Sequence, residues 1–196
     1  LPLLLHSLNF AKKLKFVSKI IVSTDSKKYA KMCKKSFFTV DKLRPKYLAK
    51  DKTKSIDVIR YELNRLKNKS DYKYILLLQP TCPFRSLKNF NFAFKMMKSY
   101  DSVYTINKVK DHPSRMYFKK NGTIYTYLKS SKEVFERRQN LKKIYIRSGS
   151  MYFFKIKNIF SKNFYGKRVY GIEVKDKFKI NIDTNEDLVI AKSYIK

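Results

Sequence analysis

Apolar side chains recur at helical spacing at Leu3, Leu4, Leu8, Ala11 and Leu14, and the run from Lys19 to Thr24 that follows has the composition of a short buried strand ending in a polar turn. Asp25-Ser26 supplies an N-cap for a helix over Lys27 to Lys35, Phe37 to Val40 forms a second strand candidate, and Arg44-Pro45 imposes an extended stop. Ile56, Ile59, Leu63 and Leu66 define one face of a helix over Ser55 to Leu66. A strand over Tyr74 to Gln79, a helix over Leu87 to Lys98 and a strand over Ser102 to Asn107 continue the alternation. Strands alternating with helices predict an α/β fold whose sheet is mainly parallel, with right-handed crossovers.

From about Asp111 the pattern changes. Aromatic, β-rich stretches at Arg115 to Lys119 and Ile124 to Leu128 flank the turn Asn121-Gly122, which predicts an inserted hairpin or arm. Strands over Ile144 to Phe154 and Val169 to Val174 return to the main pattern, and a helix over Asn185 to Ile195, capped by Thr184, closes it. A length of 196 residues suits a single domain over 1–196.

Composition changes this picture in one respect, the charge. Lys and Arg number 46 against 15 Asp and Glu, a formal net charge of +31. Such a charge attracts polyanions, yet only 9 of the cations are Arg, and the lysines are spread along the chain without a basic block. No helix-turn-helix, zinc-finger or RNP pattern accompanies them, so a dedicated nucleic-acid partner is not expected. With 43% hydrophobic residues the chain can build a core despite its charge. Its apolar runs fall far below the roughly 18 residues of a membrane span, and no membrane partner is expected. Cys33 and Cys82 are far apart and lack clustered histidines, which argues against a zinc site or a disulfide framework and favours a reducing, cytoplasmic setting.

In an open parallel sheet, ligands bind beyond the carboxyl ends of the strands. Those ends carry Ser23-Thr24-Asp25-Ser26, Gln79 to Arg85, and Asn181-Ile182-Asp183-Thr184. An amide, a hydroxyl and a guanidinium within one short loop, stiffened by Pro80 and Pro83, make a polar shelf suited to an oxygen-rich anionic ligand.

The loop LLLQPTCPFR resembles a signature of the acylneuraminate cytidylyltransferases, which make CMP-activated acidic sugars. Further strings match that family in order: VSTDS at Val22 to Ser26, LRPKYLAKD at Leu43 to Asp51 with SIDVI at Ser55 to Ile59, and VKDHPSRM at Val109 to Met116. ERRQNL at Glu136 to Leu141, RSGSMYFF at Arg147 to Phe154 and INIDTNEDL at Ile180 to Leu188 complete the set, so the resemblance runs over nearly the whole chain. It implies a Rossmann-like nucleotide-diphospho-sugar transferase sheet with a β-rich dimerisation arm over about residues 110–147, and a homodimer. The implied reaction transfers CMP from CTP to the anomeric hydroxyl of a nine-carbon acidic sugar and releases pyrophosphate, with Mg²⁺.

By similarity, Arg44 and Ser55 hold the cytidine portion, Gln79 contacts the sugar, and Arg85 stands near the phosphate or organises its loop. Arg115, Arg138 and Gln139 on the arm face the sugar carboxylate, for which a guanidinium is geometrically suited. Tyr152, Phe164 and Tyr165 match sugar-pocket aromatics; spacing alone reads them equally as core or surface residues. Asp183 matches the second of two metal-holding aspartates, and the first is Asn181 here, whose carbonyl could still coordinate. The resemblance also implies a first strand and a triphosphate-binding loop ahead of Leu1, so the chain as given is expected to be N-terminally truncated and catalytically impaired. Two other readings remain open: a transferase for a different acid sugar, and a non-enzymatic basic module or remnant.

Overall fold

The computed structural model describes residues 1–128 and 136–195. In chain order its elements are α1 (Leu3–Lys12), α2 (Lys27–Lys35), α3 (Ser55–Asn64), β1 (Tyr74–Leu77), α4 (Leu87–Met96) and β2 (Ser102–Lys108). These are followed by β3 (Tyr117–Lys120), β4 (Thr123–Thr126), β5 (Tyr145–Lys155), β6 (Val169–Glu173) and α5 (Asn185–Ser193).

The main sheet has the order β1-β5-β2-β6. β2 and β6 pair in parallel, while β5 runs antiparallel to both β1 and β2. The α/β expectation holds, and three of the four strands share one direction, but the parallel run is interrupted by β5. A strand that returns from the inserted arm re-enters the sheet from the opposite end, which reverses it.

Alternation along β5 builds the core on both faces. Met151 and Phe153 join Phe90, Ala93 and Met97 from the α4 side, together with Val103 and Ile172. Tyr152 and Phe154 point the other way, toward Ile56, Ile59 and Leu63 of α3. The period of two along a strand thus places α3 and α4 on opposite faces of one sheet. A third cluster, Leu5 and Leu8 of α1 with Val22, Cys33 and Phe38, sits under the first forty residues.

The expected strands at Lys19–Thr24 and Phe37–Val40 do not form and join no ladder among the described residues, and Phe37 instead closes α2 at φ +61°. Their side chains bury as a strand's would, Val22 at 8% and Phe38 at 6% exposure. No strand among the described residues lies beside this backbone to bond it, and a strand is defined by its neighbour rather than by its own propensity. A cleft of about 530 Å³ opens between α1 and these two segments.

The expected hairpin forms: β3 and β4 pair around Asn121 and Gly122, both at positive φ, as a two-residue turn requires. Every residue of its two strands is exposed. Residues 129–135 of the expected arm lie outside the described residues.

Candidate active site

Three segments meet at the carboxyl end of β1. The first is the loop Gln79–Arg85, the second the middle of β5, and the third the stretch Asn181–Asp183 that leads into α5. A backbone bond from Ile182 N–H to the Thr81 carbonyl (2.8 Å) ties the first to the third.

The middle of β5 is irregular. Its register against β2 jumps between Tyr104↔Tyr152 and Ile106↔Arg147, so residues 148–151 bulge opposite the single residue Thr105. Gly149 sits in this bulge at φ +82°. A Cβ there would lie 3.0 Å from Gln79 Oε1 and 3.1 Å from Cys82 Sγ. The bulge therefore brings bare backbone against the loop, a recurrent use of bulges beside functional sites. Beneath it, Thr105, Ser148 and Ser150 form a buried hydroxyl cluster: Ser148 Oγ donates to Thr105 Oγ1 (2.6 Å), and Thr105 Oγ1 also accepts from the Met151 N–H (3.1 Å). This satisfies backbone that the broken ladder leaves unpaired.

Arg85 is the organiser of the loop. Its Nη2 donates to the Gln79 carbonyl (2.6 Å) and its Nε to the Ser150 carbonyl (3.2 Å), clamping loop to strand. The side chain is 9% exposed, and burial pulls its pKa down to about 10, which leaves it charged at neutral pH. Nη1 is buried without a partner. Of the two roles expected for Arg85, this geometry favours organising the loop.

Cys82 is fully buried, and burial pushes its thiol pKa up against the opposing Arg85 charge. It is therefore a thiol, not a nucleophile. Its Sγ lies 3.3 Å from Asn181 Oδ1 and 3.6 Å from the Ser148 carbonyl. Asn181 Nδ2 in turn donates to Asp183 Oδ2. The Asn181 carbonyl oxygen, expected to help hold a metal, is thus turned onto Cys82, and Asp183 is the carboxylate left facing outward. Asp187 Oδ2 accepts from Asp183 N–H, Thr184 N–H and Thr184 Oγ1, completing a capping box on α5; these bonds hold its carboxyl below the usual range. It is occupied as a cap.

The expected aromatics also gather. Tyr152 lies 5.4 Å from Tyr104, and Phe164 lies 5.9 Å from Phe154 and 5.2 Å from Tyr165, ring centre to ring centre. The Arg147 guanidinium sits 5.9 Å from the Tyr152 ring. Burial raises the pKa of both tyrosines, Tyr104 to about 12. Tyr104 went unnoticed in the sequence, where it stood as one more aromatic in a strand.

Arg44, Ser55, Arg115, Arg138 and Gln139 are not joined to this group by hydrogen bonds. Arg44 pairs with Asp25 (3.3 Å), and its backbone N–H bonds the Thr24 carbonyl. Ser55 is the first residue of α3, with Lys54 at the N-cap position. On the arm, Arg115 Nη2 donates to the Glu136 carbonyl and Arg138 Nη2 to the Lys110 carbonyl, while Gln139 is exposed. Sequence reasoning also missed Glu62, which accepts from Ser23 Oγ (2.7 Å) and Arg65 (2.8 Å) and so fastens the first strand-end motif to α3. The site is an open ledge; the 530 Å³ cleft touches neither Gln79 nor Asp183.

Residues 1–195 match the cytidylyltransferase family. The chain is 26% identical over 193 residues to an N-acylneuraminate cytidylyltransferase of Streptococcus agalactiae serotype V, covering 96% of this chain and 46% of that protein. It is 27% identical over 187 residues to a bifunctional pseudaminic acid cytidylyltransferase and hydrolase of Helicobacter pylori, covering 89% and 35%. The chain thus spans about half the length, or less, of these relatives. Among solved structures, CMP:2-keto-3-deoxy-manno-octonic acid synthetase in complex with CTP shares the fold at TM-score 0.69 and 10% identity, over 99% of this chain and 87% of that one. No helix among the described residues is long and apolar enough to cross a membrane. With its α/β sheet, strand-end ledge and family match from first residue to nearly the last, the chain belongs to the cytidylyltransferase family.

Proposed function

We propose that this protein transfers CMP from CTP to the anomeric hydroxyl of an acidic nine-carbon sugar, releasing pyrophosphate. The observation that carries this reading is the convergence of Gln79, the Gly149 backbone and Asp183 at one strand end, in a chain whose relatives in Streptococcus agalactiae and Helicobacter pylori are named for acylneuraminate and pseudaminic acid.

In this reading Gln79 bonds sugar hydroxyl or N-acyl groups, because an amide both donates and accepts. The half-buried Tyr152 and Phe164 and the exposed Tyr165 are the rings offered to the sugar, with Tyr104 packed behind them in the core. Arg85 fixes the loop geometry, Arg44 and Ser55 serve the nucleotide, and Arg115, Arg138 and Gln139 approach the sugar carboxylate from the arm. Exposed Phe118, Ile124 and Tyr125 on the hairpin suit the arm to a homodimer contact, and the setting is the cytoplasm.

A divalent ion such as Mg²⁺ fits here with one protein carboxylate. Asp183 is exposed, and the Asn181 amide meets its Oδ2. No cluster of three or more His, Cys, Asp or Glu occurs among the described residues, so most ligands come from substrate phosphate and water. The ion supplies charge neutralisation on the phosphate oxygens.

The test is pyrophosphate release by the full-length gene product with CTP, Mg²⁺ and a panel of acid sugars. Gln79→Ala is expected to lower sugar use about 10- to 100-fold with CTP binding retained, and Asp183→Ala to remove metal-dependent turnover. Absence of release with every eight- and nine-carbon acid refutes the reading, and steeply salt-dependent RNA binding in its place identifies a basic module.

A further inference from the structure

The bond chain Cys82–Asn181–Asp183 has a direction that chemistry fixes. An ionised carboxylate only accepts hydrogen bonds, so the group Asn181 presents to Asp183 must be its NH₂. Its carbonyl oxygen then points the opposite way, onto Cys82 Sγ at 3.3 Å. The Cys82 S–H, fully buried between the loop and the β5 bulge, is the donor that meets this oxygen. Each member therefore meets the next with a donor against an acceptor, ending on the carboxylate that faces solvent.

We propose that Cys82 is a positioning residue: its S–H sets the orientation of the Asn181 amide, and through it the Asp183 carboxylate. Three observations support this beyond the contact itself. The Ile182 N–H to Thr81 carbonyl bond locks the two segments in register, so the side-chain chain does not have to hold them together. Gly149 leaves the thiol just enough room, a Cβ there falling 3.1 Å from Sγ. The second acceptor near the thiol, the Ser148 carbonyl, is more distant at 3.6 Å, so Asn181 is the better partner. An amide in place of a second carboxylate also spares this site the repulsion of two close negative charges, and it needs its oxygen anchored to avoid flipping. The thiol provides that anchor.

This inference rests on the functional reading only for the use made of Asp183, and its test separates the two. Side-chain amide NMR signals of Asn181 are recorded in wild type, Cys82→Ser and Cys82→Ala, and Mn²⁺ affinity of the same proteins is measured by EPR. Cys82→Ala is expected to move the Asn181 side-chain amide signals toward the shifts of an exposed, unanchored asparagine and to weaken Mn²⁺ on the order of tenfold, while Cys82→Ser preserves both. Cys82→Ala added to Asn181→Ala should cost nothing further. Unchanged Asn181 signals in Cys82→Ala overturn the proposal, and so does equal disturbance by Ala and Ser, which means the thiol only fills space. If the Asn181 signals respond as expected but wild type binds no Mn²⁺, the positioning role stands and the metal part of the functional reading falls.

Discussion

Replacing Gly149 with Ala tests the packing of the ledge directly, and its cost can be worked from two terms. An L-residue at φ +82° carries a left-handed penalty of about 1 kcal/mol. The new methyl would also lie 3.0 Å from Gln79 Oε1 and 3.1 Å from Cys82 Sγ. Gln79 can swing aside, but Cys82 is enclosed, so displacing it adds overpacking of about 1–2 kcal/mol. The sum, about 2–3 kcal/mol, lowers Tm by about 4–12 °C for a chain of this size. Gly122→Ala is the internal control, because Gly122 has the same sign of φ (+83°) with nothing within 4 Å of its would-be Cβ. It should show the backbone penalty alone. Thermal unfolding followed by circular dichroism reads both, and sugar-dependent turnover should fall in Gly149→Ala only. Equal Tm losses for the two variants would refute the argument, since the contacts with loop 79–85 would then carry no energy.

Arg85→Lys should cost about 2–4 kcal/mol in urea unfolding, because an ammonium cannot reach both the Gln79 and Ser150 carbonyls and at least one is left buried and unpaired; a variant as stable as wild type contradicts the clamp. Asp101 accepts from the Arg168 and Lys167 backbone N–H groups and from Lys155, and these bonds, Arg168 first, hold its carboxyl below the ordinary range. A depressed folded pKa means that its stabilisation is fully present above the unfolded value near 3.9 and fades as pH falls through the folded value. Asp101→Asn should therefore lower stability by about 1–2 kcal/mol at pH 7, with the gap to wild type closing in acid; a gap independent of pH speaks against the charge being the cause. Phe90→Ala, at 1% exposure between α4 and the sheet, should cost about 3–5 kcal/mol by chemical denaturation, and a loss under 1 kcal/mol would misplace the core.

Much of this molecule is legible from periodicity. The helical faces of α3 and α4, the strands β1, β2 and β6, and the hairpin turn at Asn121-Gly122 all follow from spacing and turn chemistry. Direction was harder, because nothing in the composition of residues 145–155 says that they run against their neighbours; that is decided by the inserted arm. The segments at Lys19–Thr24 and Phe37–Val40 have strand-like residues yet join no ladder among the described residues, since hydrogen-bond partners are not encoded locally. At the ledge, motif matching picked out Gln79, Arg85, Asn181 and Asp183, but could not tell that Asn181 turns its oxygen inward. The alternating serines of Arg147-Ser148-Gly149-Ser150 were visible, while their burial with Thr105 depends on a register jump no single segment announces.

The position of β5 between β1 and β2 also constrains how the chain can fold. β1 and β2 do not pair with each other, and β6 follows β5 in the chain. Among the described residues, β3–β4 is the one ladder formed within residues 1–144, and β1 and β2 gain their pairing with β5 once residues 145–155 have emerged. Assembly is then set by closing a long loop rather than by local helix formation, which makes this a slow-folding topology with exposed strand edges along the way. The strand that carries the candidate ledge is thus also the piece for which the nascent sheet has to wait.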